Sequence, residues 1–116
     1  MNVDEVLNRI ITINHAWKLS REEFGSSNAI TKALRDQKSS WQASLLRDYP
    51  EMSYLKVDTD NSTADEILYS VRLKRSIVID GVTRTDAEHL PERIAKELFY
   101  ELEIEALLKN NENIHV

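Results

Sequence analysis

A chain of 116 residues with fifteen basic and twenty acidic side chains carries a net charge of −5, a sign that disfavours a protein dedicated to coating DNA or a membrane surface. Hydrophobic residues at 41% and charged residues at 30% are the balance of a folded globule with one core, which excludes a disordered chain and a two-domain enzyme. The absence of cysteine excludes a disulfide framework, a thiol nucleophile and a thiolate metal site, and is consistent with a reducing cytoplasm.

The charge is uneven. Residues 1–50 sum to +1 and residues 51–116 to −6, so one face of the domain is expected to be acidic. The N-terminal MNVDEVLNRI lacks the basic-then-apolar order of a secretory signal, and no apolar run is long enough to span a bilayer. Gly25, Pro50, Gly81 and Pro91 are so isolated that each is expected to mark a boundary.

Before Gly25, the residues Val3, Val6, Leu7, Ile10, Ile11, Ile13, Trp17 and Phe24 fall in an arc about 160° wide at helical spacing, which predicts an amphipathic helix. Gly25 suits its C-terminal cap, and Ser26, Ser27 or Asn28 can cap a second helix ending near Pro50. That helix has a narrow stripe of Ile30, Leu34, Trp41 and Leu45 interrupted by Gln37, so it is expected to meet the core along one seam. Together residues 1–49 read as an antiparallel hairpin.

After Pro50 the period changes to two. Leu55 and Val57 alternate with Tyr54, Lys56 and Asp58, and Tyr69, Val71, Leu73, Ile77 and Ile79 alternate with polar neighbours, predicting a short and a long half-buried strand. Asp80-Gly81 signals a type I′ turn into a third strand over Val82–Arg84, so residues 51–85 form an antiparallel meander. A helix from Ala64 to about Leu73 competes with the second strand, because Thr63-Ala64-Asp65-Glu66 spells a capping box. From Asp86 or Pro91 to Lys109 helical spacing returns, with acids in the first turn, and residues 110–116 are expected to fray. The expected class is α+β in the order α-α-β-β-β-α, one domain with helices on one face of the sheet.

The chemistry-bearing residues are sparse. Asp58, Asp60, Asp65 and Glu66 crowd one connection, but an EF-hand loop begun at Asp58 puts Thr63 where the tight-turn glycine belongs and Tyr69 where the bidentate glutamate belongs. Asn61-Ser62-Thr63 is a glycosylation sequon, meaningful only in a secreted chain. His15 sits at the edge of the first apolar arc, His115 in the tail, and His89, near Glu88 and Glu92, reads as a surface residue at a helix start. No phosphate loop, nucleophile elbow or metal-binding histidine pair occurs, so no catalytic residue, metal or cofactor is assigned.

Two surfaces invite nucleic acid. If Leu55 and Val57 face the core, then Tyr54, Lys56, Arg72 and Lys74 share the outer sheet face, a cationic patch with an aromatic. The order of the last ninety residues is also similar to the topology of a double-stranded-RNA-binding domain, although the basic cluster that likeness implies would fall on Asp86–Lys96, where acids dominate. The second surface is a helix-turn-helix reading of Leu19–Phe24 and Asn28–Lys32, with Lys32, Arg35 and Lys38 on the reading helix. That spacing also describes any solvated helix face. Arg75 breaks its strand's alternation, which a bulge or an uncovered stretch of sheet would explain.

The final helix carries two stripes. Ile94, Ala95, Leu98, Phe99, Leu102 and Ala106 form one, and Tyr100, Ile104, Leu107 and Leu108 form a second on nearly the opposite side. The second stripe is expected either to be covered by the first helix or to meet another chain, most simply its own copy in a homodimer. The sequence therefore reads as a small acidic protein–protein interaction module without catalytic activity, an adaptor, inhibitor, immunity-type or assembly factor. The alternative is a nucleic-acid-binding regulator using the sheet face.

Overall fold

A computed structural model describes residues 1–110; His115 and residues 111–116 of the expected tail lie outside the described residues. Helix α1 (Val3–Phe24) begins where Asn2 accepts the Glu5 N–H at 2.9 Å, and it ends at Gly25, whose φ of 87° is a left-handed value costly for any residue with a Cβ. Helix α2 (Ala29–Asp48) is capped by Asn28, whose side chain accepts the Ile30 N–H at 2.9 Å, and stops before Pro50. The two pack as the expected hairpin.

The hairpin's interior changes character along its length. At the end nearest the sheet it is apolar, with Val6, Leu7 and Ile10 meeting Ala43, Leu45 and Leu46 in the core. Further out it is polar: the Ser20 and Thr31 hydroxyls lie 2.7 Å apart, and Lys38 Nζ donates to Asn14 Oδ1 at 3.0 Å. Phe24 and Ile30, expected on the buried stripes, are exposed. The reason is geometric, since these turns extend beyond the layer that the sheet can cover, leaving polar side chains to hold the helices together.

Strands β1 (Ser53–Val57), β2 (Leu68–Ile79) and β3 (Val82–Pro91) form one antiparallel sheet in the order β1-β2-β3. Leu55 pairs with Val71 and Tyr69 with Leu90, and all four are buried on the helix side. The capping-box residues form no helix. Thr63 Oγ1 does accept the Glu66 N–H at 3.0 Å, but the chain then enters β2. Asp80 and Gly81 have φ of 49° and 77°, the signature of the type I′ turn. Gly81→Ala is therefore expected to cost about 1 kcal/mol in urea denaturation, from the left-handed backbone alone, because nothing lies within 4 Å of the added Cβ.

Two register shifts shape β3. Between the pairs Ser70–His89 and Arg72–Asp86, Val71 faces both Ala87 and Glu88, and Glu88 absorbs the extra residue with a φ of 70°. Between Arg72–Asp86 and Ile77–Arg84, four residues of β2 oppose one of β3, and Arg75 lies in that irregular stretch with its side chain exposed. Its break in the alternation is thus a register shift.

Residues 86–91 belong to β3 and not to the last helix, as the sequence pattern suggested. Ala87 and Leu90 each fill the core, while the Gln42 side chain, fully buried on α2, donates to the Ala87 and His89 carbonyls at 2.8 and 3.1 Å. Two backbone carbonyls of this edge strand are thereby paired. Pro91 ends the strand, where a missing N–H is tolerated.

The expected single C-terminal helix is two, α3 (Glu92–Leu98) and α4 (Glu101–Lys109), separated by extended Phe99 and Tyr100. Arg47 of α2 holds the break, donating to the Leu98 carbonyl, pairing with Glu103 at 3.3 Å and lying over the Phe99 ring at 4.6 Å. Glu103 in turn accepts the Tyr100 N–H at 2.9 Å, and these donors hold its carboxyl below the usual range. The break turns α4 about its axis. Ile104 is 5% exposed and Leu107 is buried against β1, Leu108 is half-buried, and Leu102 at 77% and Tyr100 at 83% face outward. Of the second stripe, Ile104 and Leu107 are consequently core and Leu108 is half-buried, while Tyr100 alone stays exposed, so the four do not form the continuous patch expected to meet another chain. Asn110 is also anchored, donating to the Pro50 and Ser53 carbonyls.

Candidate functional site: a cationic groove beside the third strand

The polar outer half of the hairpin and the end of β3 enclose a groove of about 590 Å³. Helical spacing delivers its walls: Asn14, Trp17, Lys18 and Arg21 follow one face of α1, and Thr31, Lys32, Arg35 and Lys38 one face of α2. Glu88 and His89 come from β3, Asn61 and Glu66 from the β1–β2 connection, and Arg93 from α3. Six of the chain's fifteen basic side chains line this groove against two of its twenty acidic ones, so the groove sums to +4 while the remainder of the chain sums to −9.

Lys38 sits deepest. It is 7% exposed, and its ammonium has one hydrogen-bond partner, Asn14 Oδ1, and the Trp17 ring at 4.6 Å. No carboxylate lies within 4 Å of Lys18, Lys32 or Lys38 among the described residues. Burial lowers the Lys38 pKa to about 8, with Lys18 and Arg21 pushing the same way and Glu88 opposing. Arg21 lies over Trp17 at 4.5 Å, Arg35 contacts Asp36 at 3.2 Å and Arg93 contacts Glu66 at 3.5 Å, all at the exposed rim.

At one end of the groove, His89 Nε2 and Asp58 Oδ2 are 2.6 Å apart. The Asn61 side chain and then His89 hold the Asp58 carboxyl below the usual range, with the Asn61 backbone N–H adding to it. His89 is thus a strand residue oriented by a carboxylate, in place of the expected helix-start position. Asp58 spends both oxygens on Asn61 and His89, Glu66 pairs with Arg93, and Asp60 and Asp65 are exposed. Among the described residues no three acidic or histidine side chains gather to hold a metal ion. His15 is exposed on α1.

The sheet-face residues do pair as expected, Tyr54 beside Arg72 and Lys56 beside Ser70. They do not form an open platform. Tyr54 is 8% exposed, Arg72 is half-buried, and Lys74 donates to Asn110 Oδ1 at 2.9 Å, because the end of α4 reaches across the start of β1. Only Lys56 of the four is exposed. The groove residues Lys32, Arg35 and Lys38 were visible as a helical row, but Trp17, Lys18, Arg21 and Arg93 were not linked to them, because four separate segments of chain supply the walls. Among the described residues no helix is long and apolar enough to cross a membrane. No family model, curated protein or solved structure matches the chain.

Proposed function

We propose that this protein is a binding module whose working surface is the cationic groove and whose ligand or partner presents an anionic group to it. The observation that supports this reading is the inversion of charge: a +4 concavity in a chain of −5. Such a site focuses field lines and concentrates anions locally even though the whole protein repels them. The binding class of the sequence reading is kept and its surface changed, since burial of Ile104 and Leu107 removes the support for a homodimer through α4, and burial of Tyr54 removes the support for stacking bases on the sheet. The absence of cysteine favours the cytoplasm as the compartment.

Retention on phosphocellulose tests this. At pH 7 and about 50 mM salt, where charge contacts are weakly screened, the wild type is expected to bind the matrix despite its net negative charge. Lys32→Glu with Arg35→Glu is expected to elute in the void, and Lys56→Glu on the sheet to bind like the wild type. Wild-type protein that flows through at low salt removes the reading.

A further inference from the structure

We infer that the ligand of this groove is a compact, non-aromatic polyphosphate group, an inference that rests on the anion-binding reading above. Size sets the first bound. About 590 Å³ is the volume of a small-molecule site, not a track for a polymer.

Charge outside the groove sets the second. The rest of the chain sums to −9, and beyond the Glu66–Arg93 rim lies a smaller hollow lined by Asp65, Glu66 and Glu92 with only Arg93 and Lys96 to balance them. A nucleic-acid strand or a long acidic peptide leaving the groove on that side would run into carboxylates. A short, dense anion would not leave it.

The third bound is the aromatic content. Non-specific single-strand binding depends on aromatic rings open for stacking. Two rings line the groove, Trp17 and His89. Arg21 at 4.5 Å and Lys38 at 4.6 Å lie against Trp17, and the His89 imidazole is tied to Asp58 at one end, so no row of open rings is available to stack successive bases.

What remains matches phosphate. Lys18, Lys32 and Lys38 are cations without a carboxylate partner among the described residues, and Ser26 and Asn61 add neutral polar groups. The ammonium of Lys38, which has three N–H donors, spends one on Asn14. Two or more adjacent phosphates would engage several of these cations at once, as a single carboxylate or sulfate could not. Linear phosphate chains and phosphorylated polyols share this chemistry.

Melting temperatures at pH 7 and matched ionic strength decide it, with tripolyphosphate, inositol hexakisphosphate, a twelve-nucleotide single strand, a polyglutamate peptide and sulfate as the probes. Tripolyphosphate, inositol hexakisphosphate or both are expected to raise the melting temperature of the wild type by roughly 5–10 °C at saturating concentration. Sulfate is expected to give none of this shift. The shift is expected to vanish in Lys38→Met and to shrink in Lys18→Gln with Lys32→Gln, whose exposed side chains can be changed without disturbing the core. A response confined to the linear probe identifies a phosphate chain, and one confined to the cyclic probe a phosphorylated polyol. A larger Lys38-dependent shift with the oligonucleotide or polyglutamate overturns the polyphosphate assignment while leaving the anion-binding reading intact. Equal shifts with sulfate also overturn it, and no shift with any probe overturns both.

Discussion

Ile104→Glu is expected to abolish the cooperatively folded state. Its side chain is buried where α4 packs on β1, and a glutamate there must either carry an unpaired charge into the core or detach the helix. The first costs several kcal/mol, against a total stability of about 5–15 kcal/mol for an ordinary domain. Detaching the helix exposes Leu107 and Leu108 as well and removes the Asn110 anchor on Pro50 and Ser53. Leu102→Glu, two residues away and outward-facing, is expected to change stability by less than about 0.5 kcal/mol. Circular dichroism and urea denaturation separate the two outcomes, with sedimentation to follow mass. A folded Ile104→Glu monomer arising from a wild-type dimer would return the second stripe to an intermolecular role.

That stripe shows what the sequence could and could not convey. Two apolar faces on one long helical run were legible as an inconsistency, because a single helix cannot point both inward. The resolution was not, since Phe99 and Tyr100 contain no proline or glycine and the break is held by Arg47, about fifty residues earlier. Features set within a few residues were easier: the Asn28 cap, Gly25 and the Asp80-Gly81 turn depend on local backbone geometry alone. The strand over residues 86–91 was masked by acids that resemble a helix start, and it forms because β2 supplies a partner and Gln42 pairs two of its carbonyls. The groove itself left two traces in the sequence. One was the difference between the +1 and −6 halves, and the other was a lysine at the buried phase of α2.

Lys38→Met is expected to stabilise the folded protein at pH 7 while destroying its anion binding. With a pKa of about 8 in the folded state against an ordinary 10.5, the desolvated ammonium costs about 3 kcal/mol relative to a hydrated one. Methionine keeps the unbranched stem against Trp17 and removes the charge. It also loses the hydrogen bond to Asn14, worth about 1 kcal/mol, so a net gain of about 1–2 kcal/mol remains. The pH dependence carries the signature. Between pH 8 and 10.5 the unfolded chain holds a proton on Lys38 that the folded protein has released, so wild-type stability relative to the variant must rise through that window. The advantage of Lys38→Met is present in full below pH 8, falls by about 3 kcal/mol across the window and is reversed by about pH 10.5, where only the lost hydrogen bond to Asn14 still counts. Tyr69, pushed up to about 12 by burial and by its hydrogen bond to Glu92, acts in the opposite sense between pH 10 and 12 and cancels between the two proteins. Urea denaturation of both from pH 6 to pH 10 measures the difference directly. A difference that stays constant across that range would mean that Lys38 is not a desolvated charge, and a Lys38→Met protein that still binds polyanions would place the recognition of anions elsewhere on the molecule.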